Sequence, residues 1–304
     1  MEIETRIDPE TGGWRLIAPG RALRPNDAKP TESAPVCPFC PGNEHLTPPE
    51  RMRVPAGADD WQVRVVPNKY PAAAEHEVVI ESPRHDWDLQ RATEAEVRTV
   101  LHAMRDRTRA LGADRPAVVA FRNYGKAAGA SLSHPHSQIV ALDEAPPGLV
   151  DRWRRAHDHH AATGRRLIDD TAEQERHAGE RVVADEKGLL VFQPYAAAVP
   201  HQTMFVPDDG RPTLAAATDD ALALLAAVLP PALAALAEAA GDPAYNLFFH
   251  AGPANSPDAG RWFQWHVELY PRITTLGGLE LATGVMVNPT SPELTASAMR
   301  SAWR

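Results

Sequence analysis

The chain predicts an α+β fold of two tandem, duplicated units in which antiparallel sheets carry packed helices. Three observations point there. The order strand, strand, helix, strand, strand occurs twice at an offset of about 125 to 130 residues, which a gene-duplicated pair of α+β units explains most simply. The first helix of the series has a capped, amphipathic signature. Finally, 304 residues with 43% AVILMFWYC can bury a substantial core in one large or two ordinary domains.

The first unit spans residues 1–147. Its strand candidate Trp61 to Val66 leads into Pro67-Asn68-Lys69-Tyr70-Pro71 and a second strand candidate, Glu77 to Ile80. Thr93 and Glu96 then form a capping box ahead of the apolar stripe Val97, Val100, Leu101, Met104 and Leu111, and Gly112 stands where a helix-ending glycine belongs. Strand candidates Ala117 to Arg122 and His134 to Leu142 follow. Residues 148–181 read as a connector with some helix, such as Val150 to Ala162, inside a polar, His-rich stretch from Pro146 to Arg181. Its His157, His159 and His160 fit a solvated helix surface better than a metal site. In the second unit, 182–304, Leu189 to Phe192 leads through Pro194-Tyr195 to the strand candidate Thr203 to Val206. The helical region Asp219 to Ala240 precedes Tyr245 to His250 and Trp265 to Tyr270, and Ser291 to Arg304 reads as a short terminal helix.

A net charge of −9 argues against a nonspecific nucleic-acid binder, because affinity for a phosphate backbone rests on excess Lys and Arg. The expected partner is a small anion held by local cations. Two cysteines in a single Cys-x-x-Cys give no disulfide framework and fit a reducing compartment. The charged start Met1-Glu2-Ile3-Glu4-Thr5-Arg6 lacks a signal peptide's apolar stretch. Ala221 to Ala237 is uncharged but short for a membrane span and contains Pro230-Pro231, so it reads as a buried helix. A soluble cytoplasmic protein with no membrane partner is expected.

The chemistry concentrates in Ala128-Gly129-Ala130-Ser131-Leu132-Ser133-His134-Pro135-His136-Ser137-Gln138. On an extended segment His134, His136 and Gln138 project to one face. A neutral imidazole is a nucleophile at physiological pH, and a glutamine beside it can donate to a phosphoryl oxygen without acting as an acid. Cys37 and Cys40 have the spacing of a zinc knuckle.

His134-Pro135-His136-Ser137-Gln138 resembles the His-Pro-His-x-Gln motif of the galactose-1-phosphate uridylyltransferase-like branch of the histidine-triad superfamily, whose hydrolases carry a third histidine instead. The resemblance extends in order through Trp14 with Ala18-Pro19-Gly20-Arg21-Ala22-Leu23-Arg24-Pro25, Cys37-Pro38-Phe39-Cys40, Pro67-Asn68-Lys69-Tyr70-Pro71, Phe121-Arg122-Asn123-Tyr124-Gly125 and Trp265-His266-Val267-Glu268-Leu269-Tyr270-Pro271. It implies two histidine-triad-like units, the first catalytic and the second degenerate. It also implies a structural zinc ion on Cys37, Cys40, His85 and His134. His45 and His76 are rival ligands by proximity in sequence, and a pair of buried free cysteines is the alternative. His136 becomes the nucleophile toward the α-phosphorus, with its other ring nitrogen donating to a backbone carbonyl. Gln138 holds a non-bridging oxygen. Arg21, Arg24, Asn68, Asn123, Gly129 and Ser131 match phosphate- or nucleotide-contacting positions, and Glu280 matches a sugar-contacting acid. A homodimer is implied as well.

Two departures bear on specificity. Lys69 replaces an acid that can accept from ribose hydroxyls, and Met286 replaces an amide that binds sugar hydroxyls. His250, His266 and Glu268 stand where some relatives hold a second metal, though a degenerate structural copy explains them equally. The leading reading is a nucleotidyltransferase exchanging a nucleoside monophosphate between a nucleotide sugar and a sugar 1-phosphate by ping-pong kinetics. The alternatives are a phosphorylase that splits an ADP-sugar or dinucleoside polyphosphate with inorganic phosphate, and a noncatalytic zinc-stabilised nucleotide-binding protein.

Overall fold

The computed structural model describes Glu4–Ile7, Trp14–Ile17 and residues 36–304. β1 (Glu4–Ile7) and β2 (Trp14–Ile17) pair antiparallel as a two-stranded ribbon. The first unit continues with β3 (Met52–Val54), β4 (Val63–Pro67), β5 (Glu75–Ile80), α1 (Glu94–Gly112), β6 (Ala117–Tyr124) and β7 (His136–Leu142). The connector is two helices, α2 (Pro147–Thr163) and α3 (Leu167–Ala178). The second unit contains β8 (Val182–Glu186), β9 (Leu189–Phe192), β10 (Thr203–Pro207), α4 (Asp219–Ala240), β11 (Tyr245–His250), β12 (His266–Pro271), α5 (Gly278–Thr283) and α6 (Pro292–Ala302).

The two units do not keep separate sheets. One ten-stranded sheet runs in the order β3-β4-β5-β7-β6-β11-β12-β10-β9-β8, antiparallel throughout. The order is palindromic: β6 meets β11 at the centre, and each strand outward has its counterpart on the other side. The merger follows from backbone chemistry. β6 and β11 are the inner edges of their units, and pairing from Tyr245↔Tyr124 to Phe249↔Ala120 satisfies donors and acceptors that two free sheets would leave open.

Both long helices cover one face of this sheet. Thr93 caps α1 reciprocally with Glu96, as the capping box requires, and Val97, Val100, Leu101 and Met104 are buried against the strands. α4 is long and apolar enough to cross a membrane, yet Leu222, Leu225, Leu229, Leu233 and Leu236 lie buried in the same core as α1 and α6. The period of two in β7 then divides its side chains. Ile139 and Ala141 enter the helix-covered core, leaving His136 and Gln138 on the opposite face. β12 repeats the division, with Val267 and Leu269 in the core and His266 and Glu268 opposite.

Candidate active site and metal centre

Regular pairing of β7 begins at His136, two residues later than the extended run expected from sequence, so His134 lies in the bend that precedes the strand. That bend lets the two imidazoles part. His134 Nδ1 is 3.6 Å from the Sγ of both Cys37 and Cys40, and Cys40 Sγ is 3.3 Å from His85 Nδ1. The ligand atoms of Cys37, Cys40, His85 and His134 all lie within 4.8 Å of one another, the one such group among the described residues. Neither His45 nor His76 belongs to it.

The surroundings prepare these four for a cation. His134 Nε2 donates to the Ser82 carbonyl at 2.8 Å, so Nδ1 carries the lone pair on the sulfur side. His85 Nε2 lies 3.1 Å from Ser133 Oγ. Burial lowers the His134 pKa to about 4, keeping the ring neutral as a ligand must be. Burial also pushes the Cys37 thiol up to about 11, a penalty on the thiolate that a bound cation would reverse. The turn is closed by Cys40 N–H on the Cys37 carbonyl and by Asn43 Nδ2 on the same oxygen. Phe39, between the cysteines, packs edge-on against both His134 and His136. These residues could hold a metal ion whose only role is architectural, since four protein ligands leave no open position.

His136 is 5% exposed, and its Nδ1 lies 2.8 Å from the His134 carbonyl. A carbonyl accepts only, so Nδ1 carries the proton and the lone pair is on Nε2. The ring borders a cavity of about 450 Å³ whose walls include Asn123, Ser131, Lys126 and Tyr124. Asn123 Oδ1 accepts from Asn246 Nδ2 at 2.8 Å, so a residue of the second unit orients a side chain of the first. Gly129 holds φ +87°, and a Cβ there would stand 3.9 Å from Asn123 Nδ2; the left-handed backbone, rather than lack of room, demands glycine.

Other expected residues fall around this centre. Neither Asn68 nor the buried Gln138 lines the cavity, but Asn68 approaches Gln138 through His76, whose Nε2 is 3.1 Å from Asn68 Nδ2 and 2.9 Å from Gln138 Oε1. Lys69 is exposed. Glu280 accepts from Gly277 N–H at the start of α5 and is not among the residues lining the His136 cavity of its own chain. Arg21 and Arg24 lie outside the described residues.

Two features escape a linear reading. One is His76 as a bridge. The other is an ion-pair network under β7, where Arg122 Nε donates to both Glu81 oxygens at 3.1 and 3.0 Å, Ser137 Oγ donates to Glu81 at 2.6 Å, and Arg122 Nη1 donates to the Tyr245 hydroxyl at 2.6 Å. The available signal was Glu81 itself, a carboxylate closing the apolar run Val78-Val79-Ile80, where burial demands a cation.

In the second unit His266 Nδ1 lies 3.0 Å from the Gln264 carbonyl, copying the bond between His136 and His134. Glu268 takes the place of Gln138 and accepts from His250 at 2.6 Å and from Gln202 at 2.7 Å. Its carboxylate is thus engaged by side chains.

Comparison with known proteins agrees with this geometry. The family model described as galactose-1-phosphate uridyl transferase, N-terminal domain, matches residues 58–146. An ADP-glucose phosphorylase of Arabidopsis thaliana is 30% identical over 98% of this chain and 92% of its own. A galactose-1-phosphate uridylyltransferase of Haemophilus influenzae is 27% identical over 88% of this chain and 83% of its own. Among solved structures, the Arabidopsis thaliana ADP-glucose phosphorylase with bound ADP-glucose superposes with a TM-score of 0.80 at 29% identity, covering 99% of this chain and 98% of that one. A uridylyltransferase does so at 0.83 and 29%, covering 98% of both chains. With similarity of this extent and His134 and His136 placed at the entry to β7, the chain belongs to the galactose-1-phosphate uridylyltransferase-like branch of the histidine-triad superfamily.

Proposed function

We propose that the protein is a nucleotidyltransferase that moves a nucleoside monophosphate from a nucleotide sugar to a sugar 1-phosphate through a covalent intermediate on His136. The observation that carries this reading is the fixed tautomer of His136 beside the cavity. In the first step the Nε2 lone pair attacks the α-phosphorus and the bond to the departing sugar 1-phosphate breaks, its electrons leaving on the phosphate oxygen. Positive charge then appears on the imidazole, and the His134 carbonyl accepts from Nδ1–H more strongly than before. In the second step an acceptor phosphate oxygen attacks the same phosphorus and returns the electron pair to Nε2. Gln138 holds a non-bridging oxygen during both displacements.

A second reading has specific support: inorganic phosphate as acceptor and an ADP-sugar as donor. The Arabidopsis relative similar over nearly the whole chain is an ADP-glucose phosphorylase, and Lys69 and Met286 depart from the uridylyltransferase pattern. Intact-mass measurement after incubation with UDP-glucose or ADP-glucose separates the donors. Turnover with galactose 1-phosphate or inorganic phosphate separates the acceptors. An increment of one nucleoside monophosphate, abolished in His136→Asn, is expected; transfer that survives that substitution removes the covalent mechanism.

We infer that the metal is zinc. Zn–S bonds of about 2.3 Å and Zn–N bonds of about 2.0 to 2.1 Å at tetrahedral angles place S and N about 3.6 Å apart, close to the separations between Cys37, Cys40, His85 and His134. Two thiolates with two imidazoles also suit this metal. Zinc would pin the residue 37–40 turn and the His85 segment to the bend before β7.

We further propose a homodimer. Ile273, Leu276, Leu279, Leu281, Val285 and Val287 are exposed on one segment, a larger apolar concentration than isolated surface residues make. Glu280 in that segment stands apart from its own chain's cavity. A second copy presenting α5 to the His136 cavity accounts for both facts. Leu281→Asp should give monomers by light scattering and lose sugar-dependent turnover; a wild-type monomer at micromolar concentration overturns the proposal.

A further inference from the structure

His76 begins as a bystander, a histidine on β5 outside the metal group and with no part in covalent chemistry. It is 4% exposed, and its two ring nitrogens face different partners. Nδ1 accepts from the Ala72 backbone N–H at 3.0 Å. A backbone amide only donates, so Nδ1 is the unprotonated nitrogen and Nε2 carries the hydrogen. Nε2 lies 2.9 Å from Gln138 Oε1 and 3.1 Å from Asn68 Nδ2, and of these two neighbours only the oxygen can accept its hydrogen. It therefore donates to that oxygen, which fixes which end of the Gln138 amide is which. The carbonyl faces His76, and the NH₂ group is the end left for a phosphoryl oxygen.

The same residue, by ring and backbone, helps organise the loop between β4 and β5. Asn68 N–H bonds the His76 carbonyl at 2.7 Å, Asn68 Oδ1 accepts from Tyr70 N–H at 2.8 Å, and Ala72 N–H closes the loop onto His76 Nδ1. One imidazole thus joins a loop that carries a nucleotide-contacting asparagine to the amide that meets the transferred phosphorus.

We propose that His76 is a positioning residue for nucleotidyl transfer: it locks the Gln138 side chain with its amino group toward the phosphoryl oxygens and couples that orientation to closure of the 68–76 loop. This rests on His136 being the nucleophile and Gln138 the phosphoryl ligand. Without the lock, Gln138 can rotate its carbonyl toward the phosphoryl oxygens, where it repels instead of donating. The residue acts through Gln138 and touches no reacting atom.

Two substitutions separate the two bonds. His76→Asn retains an acceptor near the position of Nδ1 and loses the donor to Gln138; His76→Gln retains a donor near the position of Nε2. The readout is the rate of single-turnover labelling of His136 by whichever nucleotide sugar labels the wild type. His76→Asn should slow labelling about 10- to 100-fold, within the loss of about 100-fold or more expected for Gln138→Ala from removal of one oxyanion donor. His76→Gln should recover most of the rate. The double variant His76→Asn/Gln138→Ala should be no slower than Gln138→Ala alone, because a lock has no effect once the locked group is gone.

A merely structural histidine would give effects that multiply, and that result overturns the proposal. So does wild-type labelling in His76→Asn. Failure of the wild type to label His136 at all instead removes the underlying reading, and this proposal with it. Long-range ¹⁵N–¹H spectra supply a test free of activity: the His76 ring must show its hydrogen on Nε2, and an Nδ1–H tautomer is incompatible with the lock.

Discussion

Glu81 and Arg122 are 4% and 2% exposed, and each would be intolerable alone. Desolvation opposes the Arg122 charge, but Glu81 more than offsets it and raises the guanidinium's pKa above its ordinary value. Tyr245 receives one arm of that guanidinium, and burial raises its hydroxyl pKa above the usual phenol range against the opposing pull of the Arg122 charge. The pair lies beneath Ser137, between His136 and Gln138, and the Ser137 hydroxyl ties β7 to it. Glu81→Gln leaves a buried guanidinium without its counter-charge and should cost about 3 to 5 kcal/mol, read as a lower urea midpoint at unchanged slope. A loss below about 1 kcal/mol would mean that water reaches the site. At this scale the sequence disclosed the residues that carry family motifs. It hid the acceptors, because the Ser82 and His134 carbonyls that fix two tautomers have no side-chain signature. It likewise hid His76, whose ring neighbours include residues 4, 8 and 62 positions away.

The elements were legible where local rules act alone. Thr93 and Glu96 announced the start of α1, and Thr218 caps α4 as its position before Asp219 and Asp220 suggests. Strand ends were less so: β5 begins at Glu75 and β7 at His136, because a ladder ends where its partners do and apolar pattern does not record that. The turn at residues 37–40 is the element with the least support of its own. Outside Phe39 it buries little, and its cysteines are half-buried. Its attachment should depend on the ion. Protein purified without chelator is expected to hold one zinc per chain, and His85→Ala should lose it on dialysis, as measured by atomic emission. Unchanged metal content in that variant would show that another residue completes the set.

Across the whole molecule, the duplication was readable but the union of the sheets was not, since interlocking of β6 with β11 depends on which edges lie inward. The second unit also sets an acid limit. Burial depresses the pKa of His250 and drives that of His266 well below its ordinary value. Burial works against the Glu268 charge, but its bond from His250 and the nearby Arg152 hold the carboxyl below the usual range. All three shifts have one sign. Between their ordinary and folded pKa values the unfolded chain binds protons that the folded chain refuses. Stability should be level above pH 7, fall as pH drops through about 6.5 when the histidines begin to charge, and fall again below about 4.5 with Glu268. Thermal midpoints across pH 7.5 to 4 test this, with His266→Asn expected to flatten the upper part of the decline. Equal slopes in variant and wild type would place the sensitive histidines elsewhere.

The seam between β6 and β11 has a consequence for how such a chain can change over time. The second unit supplies Asn246 to Asn123 and Tyr245 to Arg122, and it shields the inner margin of the first. Discarding it would bare a row of unsatisfied amides and carbonyls ready to recruit other chains. Gene shortening is therefore closed to this architecture: with one sheet held in common, neither half can be let go without baring the other.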